Sequence, residues 1–245
     1  MRQATLIALY GDKPAALCQR LALLQTLVQA RVGSAFRPYD LGQVHGTLLG
    51  LNGCADAPLE NLFTYEQTGE RVPMDLDGLL EFARTGAQLP FQLRIGGFAE
   101  GERPFESRGA SPFERSFSVQ GDKVVALGWP ASGAAFPDSL AHLRRASERF
   151  GVRHKYHSSE TDADNDFYFR IGLLQKPLGE QAVTALTSAG RELLANLAPL
   201  EIDVRTRDVV LASYDEETLP LASTRTWRLD QLPAKMNYLN ELFRE

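Results

Sequence analysis

Gln43-Val-His-Gly-Thr-Leu-Leu-Gly-Leu-Asn52 is a short apolar run, bounded by Tyr39-Asp-Leu-Gly42 on one side and by Asn52-Gly53 on the other. A run of this length closed by turn residues at both ends predicts a buried β-strand. Successive side chains on a strand point to opposite faces, so His45, Thr47 and Leu49 share one face and Val44, Gly46 and Leu48 the other. A titratable ring and a hydroxyl therefore stand side by side on a rigid element. Taken alone, such a histidine reads as a core residue satisfied by a polar neighbour.

Working outward, Thr5 to Tyr10 reads as a first strand, turned by Gly11-Asp12. Ala15 to Val32 follows as a helix, because Leu17, Leu21, Leu24, Leu27 and Val28 recur at helical spacing, with Asp12 as N-cap and Pro14 near the first turn. Beyond Asn52, short helices are predicted over Pro58 to Thr68 and Asp75 to Arg84. Phe91 to Ile95 alternates as a strand with Gln92 and Arg94 on one face, and Ser116 to Val119 and Val124 to Trp129 continue the β region across a Gly121-Asp122 turn. The loop from Glu100 to Arg115, with Arg103, Arg108 and Arg115, is a candidate lid over a phosphate. Pro137 to Phe150 reads as a helix closed by Gly151. Val152 to Asp166 reads as a polar, solvated connection holding His154, His157 and an acidic run that lacks the glycine and terminal glutamate of a calcium loop. Phe167 to Leu174 is a strand, Gln181 to Ala198 a helix, and Ile202 to Arg205, Asp208 to Tyr214 and Ser223 to Leu229 are strands before a helical turn at Tyr238 to Phe243.

Composition narrows the function classes. With 245 residues, 44% hydrophobic and 23% charged, the chain has enough apolar material for a substantial core and is unsuited to long disorder. A formal net charge of −5 without a basic block argues against holding long duplex nucleic acid through its phosphates, but not against gripping one phosphate or a strand end. Cys18 and Cys54 form no CxxC pair; Cys18 reads as core and Cys54 as partly exposed. The N-terminal apolar run is too short for a signal peptide or a membrane span, so a cytoplasmic protein without membrane contact is expected. There is no GxGxxG or GxxxxGK(S/T) loop, and no cofactor or metal is expected.

A second stretch, Phe167-Tyr-Phe-Arg-Ile-Gly-Leu173, mirrors the first: each follows a helix and an irregular connection and ends in Gly-Leu. This suggests a distant internal repeat whose two strands lie at the centre of a pseudo-twofold and point their polar faces into one groove. Alternation puts Phe167, Phe169 and Ile171 on an apolar face and Tyr168 and Arg170 on the other. His45-Gly-Thr-Leu48 resembles the His-x-Thr signature of the two-histidine (2H) phosphoesterase superfamily, which includes 2′,5′ RNA ligase-like proteins and cyclic nucleotide phosphodiesterases. The order of elements over nearly the whole chain is similar too, and Asp208 to Tyr214 with Trp227-Arg-Leu229 resembles the family's last two strands.

The resemblance implies an α+β fold of two pseudo-symmetric lobes of antiparallel sheet with helices outside. It would be one domain over 1–245, with lobes of roughly 1–130 and 131–245 that are free to exchange strands. It also implies one His-x-Thr or His-x-Ser per lobe, one histidine as general base and the other as general acid, hydroxyls on the phosphate, and no metal. Imidazole suits that work because it titrates near neutrality, and fixed hydroxyls stabilise charge growing on phosphoryl oxygens.

The chain departs from the pattern in the second lobe, where three registers stay open. Alternation favours Tyr168-Phe-Arg170; matching the two Gly-Leu pairs puts Phe167 and Phe169 at the motif positions, without chemistry; and His157-Ser-Ser159 is followed by the acidic run rather than a strand. The expected function is a metal-independent phosphodiesterase acting on a cyclic phosphate or a phosphorylated end of RNA or a nucleotide. His45, Thr47 and Tyr168 would be catalytic, and Thr47, Arg170 and Arg94 would bind the phosphate. Tyrosine, with a pKa of about 10, is a poor base and a modest acid. The rival expectation is therefore a degenerate member that binds a nucleotide, an RNA end or a protein without turnover. Tyr168-Phe-Arg170 would also suit stacking on a base.

Overall fold

The apolar alternation goes into one ten-stranded antiparallel sheet in the computed structural model, which describes residues 1–86, 88–157, 163–233 and 235–244. The strands are β1 (Gln3–Ala8), β2 (Phe36–Pro38), β3 (Gly46–Gly50), β4 (Phe91–Ile95), β5 (Phe117–Gln120), β6 (Lys123–Ala131), β7 (Phe167–Leu174), β8 (Leu200–Val204), β9 (Val209–Tyr214) and β10 (Arg225–Arg228). The helices are α1 (Ala15–Val32), α2 (Leu62–Thr68), α3 (Leu76–Thr85), α4 (Pro112–Ser116), α5 (Ser139–Ala146), α6 (Glu180–Asn196) and α7 (Tyr238–Leu242). The fold is α+β. Strand order is β10-β9-β1-β3-β7-β6-β4-β8, with β2 paired to β7 and β5 to β6. β7, from late in the chain, is thus inserted between two strands that precede it.

The register of β7 follows from its buried face. Phe167, Phe169 and Ile171 are fully enclosed and share a core with Leu17, Leu21, Leu24 and Val28 of α1 and Leu186 and Leu194 of α6. Each such side chain contributes about 1.5–3 kcal/mol on burial, so a slip by one residue, which would turn all three to solvent, is strongly disfavoured. The same alternation leaves Tyr168 and Arg170 on the opposite face.

Several local expectations are corrected. Pro14, not Asp12, stands at the N-cap of α1, and no side chain caps that helix. α2 starts four residues later than expected, because Asn61 accepts the Thr64 N–H (3.0 Å) and ends a run of turns there. Part of the expected loop becomes α4, started by a capping box between Ser111 and Glu114. Cys54 is buried, and Cys18 is only partly so. No described helix is long and apolar enough to cross a membrane.

Candidate functional site

β3 and β7 lie side by side with Gly46 opposite Phe169. Counting along the antiparallel ladder sets His45 beside Arg170 and Thr47 beside Tyr168, with a local twofold between the middle residues of the two triplets. All four of those side chains line one groove of about 680 Å³. The glycine between His45 and Thr47 is a packing requirement: a Cβ at Gly46 would overlap the Phe167 ring. Phe167 and Phe169 are fully buried, which removes the register that put them at the motif positions.

β3 is less regular than its sequence. β1 pairs Leu6 with Leu49 but Ile7 with Thr47, so Leu48 is an extra residue in a β-bulge. Beyond the bulge the alternation reverses. Leu49, expected beside His45 and Thr47, is fully buried, and Gly50 and Asn52 line the groove instead. The bulge turns two successive carbonyls, those of Thr47 and Leu48, toward the guanidinium of Arg144 on α5 (2.8 and 3.1 Å).

His45 is partly open to the groove, and its Nδ1 lies 2.7 Å from the Gln43 carbonyl. A carbonyl only accepts, so Nδ1 carries the proton and Nε2 keeps a lone pair. The ring also meets Tyr10 edge-on, with centroids 5.7 Å apart. Burial pushes the imidazole down to about 4; the Gln43 bond opposes this, while the charges of Arg170 and Lys13 add to it. His45 is therefore a neutral base at physiological pH. Tyr168 donates to Gln120 Oε1, and burial pushes its phenol up to about 12.

Next to the groove stands a buried layer of residues that read as solvated. His154, His157, Asp164 and Asp166 are all buried, because partners distant in sequence converge on them. Arg144, itself buried, donates to the Asp164 and Asp166 carbonyls (2.8 and 3.2 Å) and lies 3.3 Å from the Asp164 carboxylate. Asp166 accepts from Arg115 (2.6 Å), Ser107 (2.6 Å) and Trp129 Nε1 (2.6 Å). His154 Nε2 sits 2.8 Å from Asp164 Oδ2, and His157 Nε2 accepts the Asp164 N–H (3.1 Å). Burial pushes His154 down to about 3, with Arg144 reinforcing it against the pull of Asp164. Burial alone would raise the Asp164 carboxyl, but the His154 bond and the Arg144 and Arg108 charges outweigh that and hold it well below the usual carboxylate range.

The arginine loop is accordingly no free lid. Phe98, Phe105 and Phe136 pack on or beside Trp129, and Ser107 and Arg115 tie the loop to Asp166. Arg108 and Arg115 line the groove, whereas Arg103 pairs with Glu106 (3.1 Å) inside its own loop. The expectation for Arg94 fails. Its guanidinium donates to the Gly97 carbonyl (2.8 Å) and stacks on Phe98 (4.7 Å), because β4 lies beyond β6 and turns that face toward the aromatic cluster. In the third register, Ser158 and Ser159 lie outside the described residues, as do Glu160 to Asp162, and His157 does not line the groove.

No protein-family model matches the chain, and no curated relative matches it. Among solved structures, the crystal structure of TT0787 of Thermus thermophilus is similar at 18% identity, with a TM-score of 0.44 over 93% of this chain and 94% of that one.

Chemically, the groove joins a neutral imidazole to hydroxyls and to the cations Arg170, Lys123 and Lys155, with Arg108 and Arg115 also on its lining but paired with Asp164 and Asp166. That suits an anion with several acceptor oxygens. Among the described residues no group of three histidine, cysteine or carboxylate side chains could hold a metal, and Asp164 and Asp166 are already matched by arginines. The residue that sequence reasoning missed most completely is Arg144. One signal was available: it stands in a stripe with Leu140 and Leu143 of α5 and Ser147 of the 3-10 turn that follows, at positions that otherwise face the core.

Proposed function

We propose that the groove binds the phosphate of a nucleotide or an RNA end and opens a cyclic phosphodiester there without a metal ion. One observation carries this: neutral His45, its Nδ1–H held by Gln43, stands beside Arg170 across the β3–β7 register in a groove lined with further cations. The likeness of His45-Gly-Thr47 to the 2H signature supports the same reading. Arg170 and Thr47 hold phosphoryl oxygens by charge-assisted and hydroxyl hydrogen bonds. His45 Nε2 takes a proton from water as the water oxygen attacks phosphorus. The bond from phosphorus to the 2′ or 3′ oxygen breaks, and Tyr168, exchanging its hydrogen bond to Gln120 for one to the leaving oxygen, stabilises the charge that develops. The leaving oxygen is protonated from solvent, and His45 returns to solvent the proton it took from water.

A second reading is favoured by Tyr168 itself. It occupies the position at which the resemblance implies a second histidine, and its phenol is pushed up to about 12 by burial. A groove without a matched acid would bind the phosphate and not turn it over. The two readings part in an assay of 2′,3′-cyclic mononucleotides with EDTA present, followed by phosphorus NMR. The first expects ring opening that falls about 10²- to 10⁴-fold in His45→Ala. Binding without ring opening selects the second reading, and the absence of both binding and turnover defeats the two together.

A further inference from the structure

The groove carries a side chain for which the phosphate chemistry has no use. Tyr156 is 48% exposed and lines the groove. Its ring is nonetheless braced. The Arg108 guanidinium lies 4.5 Å from the ring centroid, and the His154 ring meets it edge-on at 5.7 Å. His154 is in turn anchored to Asp164 at 2.8 Å. Arg108 adopts φ +49°, a left-handed conformation that costs a residue with a side chain about 1–3 kcal/mol. Contacts to Asp164 (3.4 Å) and Asp166 (3.9 Å) hold it there. Such strain persists where the surroundings over-determine the backbone, and its result here is a cation laid against an aromatic ring beside the groove.

Tyr168 is not equivalent. Its hydroxyl is engaged by Gln120, and its ring packs on the cluster around Phe98, Val125, Leu127 and Trp129. Within the groove, Tyr156 is the tyrosine whose ring is both open and backed, the condition for stacking a flat partner. We propose that Tyr156 is a base-stacking subsite, so that the ligand is a nucleotide or RNA end whose base lies on this ring rather than a base-free phosphate. This rests on the phosphate reading, because a phosphate held beside His45 is what brings the base into the same groove.

The test is calorimetric titration of the full chain with adenosine 2′,3′-cyclic phosphate and with methyl riboside 2,3-cyclic phosphate, which lacks the base. Wild type is expected to bind the nucleotide about tenfold or more tighter than the base-free ligand. Tyr156→Ala should lose that margin and keep its affinity for the base-free ligand, which also reports that the variant is folded; Tyr156→Phe should keep both. Equal affinity of wild type for the two ligands, or a Tyr156→Ala loss that is absent or the same for both, overturns the base subsite and leaves the phosphate reading standing. Failure of wild type to bind either ligand removes the phosphate reading, and this inference with it.

Discussion

His45-Gly46-Thr47 and Tyr168-Phe169-Arg170 occupy equivalent places on either side of the Gly46–Phe169 pairing, and both look into the same groove. Burial acts on both in one sense, favouring the uncharged form. In a base that lowers the pKa and in an acid it raises it, so His45 falls to about 4 and Tyr168 rises to about 12. One triplet therefore offers a lone pair at neutral pH, and the other holds its proton tightly and contributes a fixed cation two residues on. The middle residues differ as well: at Gly46 the Phe167 ring fills the space that a side chain would take. Equivalent position in the sheet decides where a group points; the residue type decides what it can do there.

Variants can break or sharpen that contrast. The largest effect is expected from removing the base, with His45→Ala lowering turnover about 10²- to 10⁴-fold in the cyclic-nucleotide assay. Next comes Arg144→Met, which takes a buried cation from beside the Asp164 carboxylate, leaving it His154 and Arg108, and removes this donor from the Thr47 and Leu48 carbonyls. It should cost about 3–5 kcal/mol in urea denaturation; a loss below about 1 kcal/mol would mean that the loop wall does not depend on this guanidinium. Gly46→Ala forces a methyl group into the Phe167 ring and should cost about 1–3 kcal/mol. Combining it with Phe167→Leu should cost less than the sum of the single losses, and strict additivity would show that the two do not touch.

The pH response is smaller. His45 and His154 titrate in the folded chain at about 4 and about 3, below the ordinary histidine value, so as pH falls the unfolded chain takes up these protons first. Their stabilisation is complete above about pH 6.5 and is progressively lost down to those folded values, on the order of 1–3 kcal/mol with allowance for the partial exposure of His45. The depressed Asp164 carboxyl adds a loss below about pH 4. A urea midpoint that stays level from pH 7 to 4 would contradict the neutral imidazoles. The smallest effect is expected for Tyr168→Phe, less than about tenfold in turnover. A loss as large as that of His45→Ala would make the phenol a true proton donor and the two triplets functional equals.

Much of the fold was legible because it is local. The bounds of α1 and β7 follow directly from apolar periodicity, and the same alternation put His45, Thr47, Tyr168 and Arg170 on groove-facing positions. Leu49 was misread because a bulge depends on the partner strand, not on the bulged one. Arg94 was misread because alternation states that a side chain shares a face with Gln92, but not what that face meets.

Which side chains stand together along an unbulged stretch of strand was determined by the sequence alone, since covalent geometry between neighbouring residues enforces the period of two there. Which charged groups leave water was decided only by the tertiary structure. Asp164 and Asp166 become buried when Ser107, Arg108, Arg115, Trp129 and Arg144 arrive from elsewhere in the chain. A charge is desolvated at acceptable cost only where such partners converge, and no stretch of neighbouring letters records that convergence.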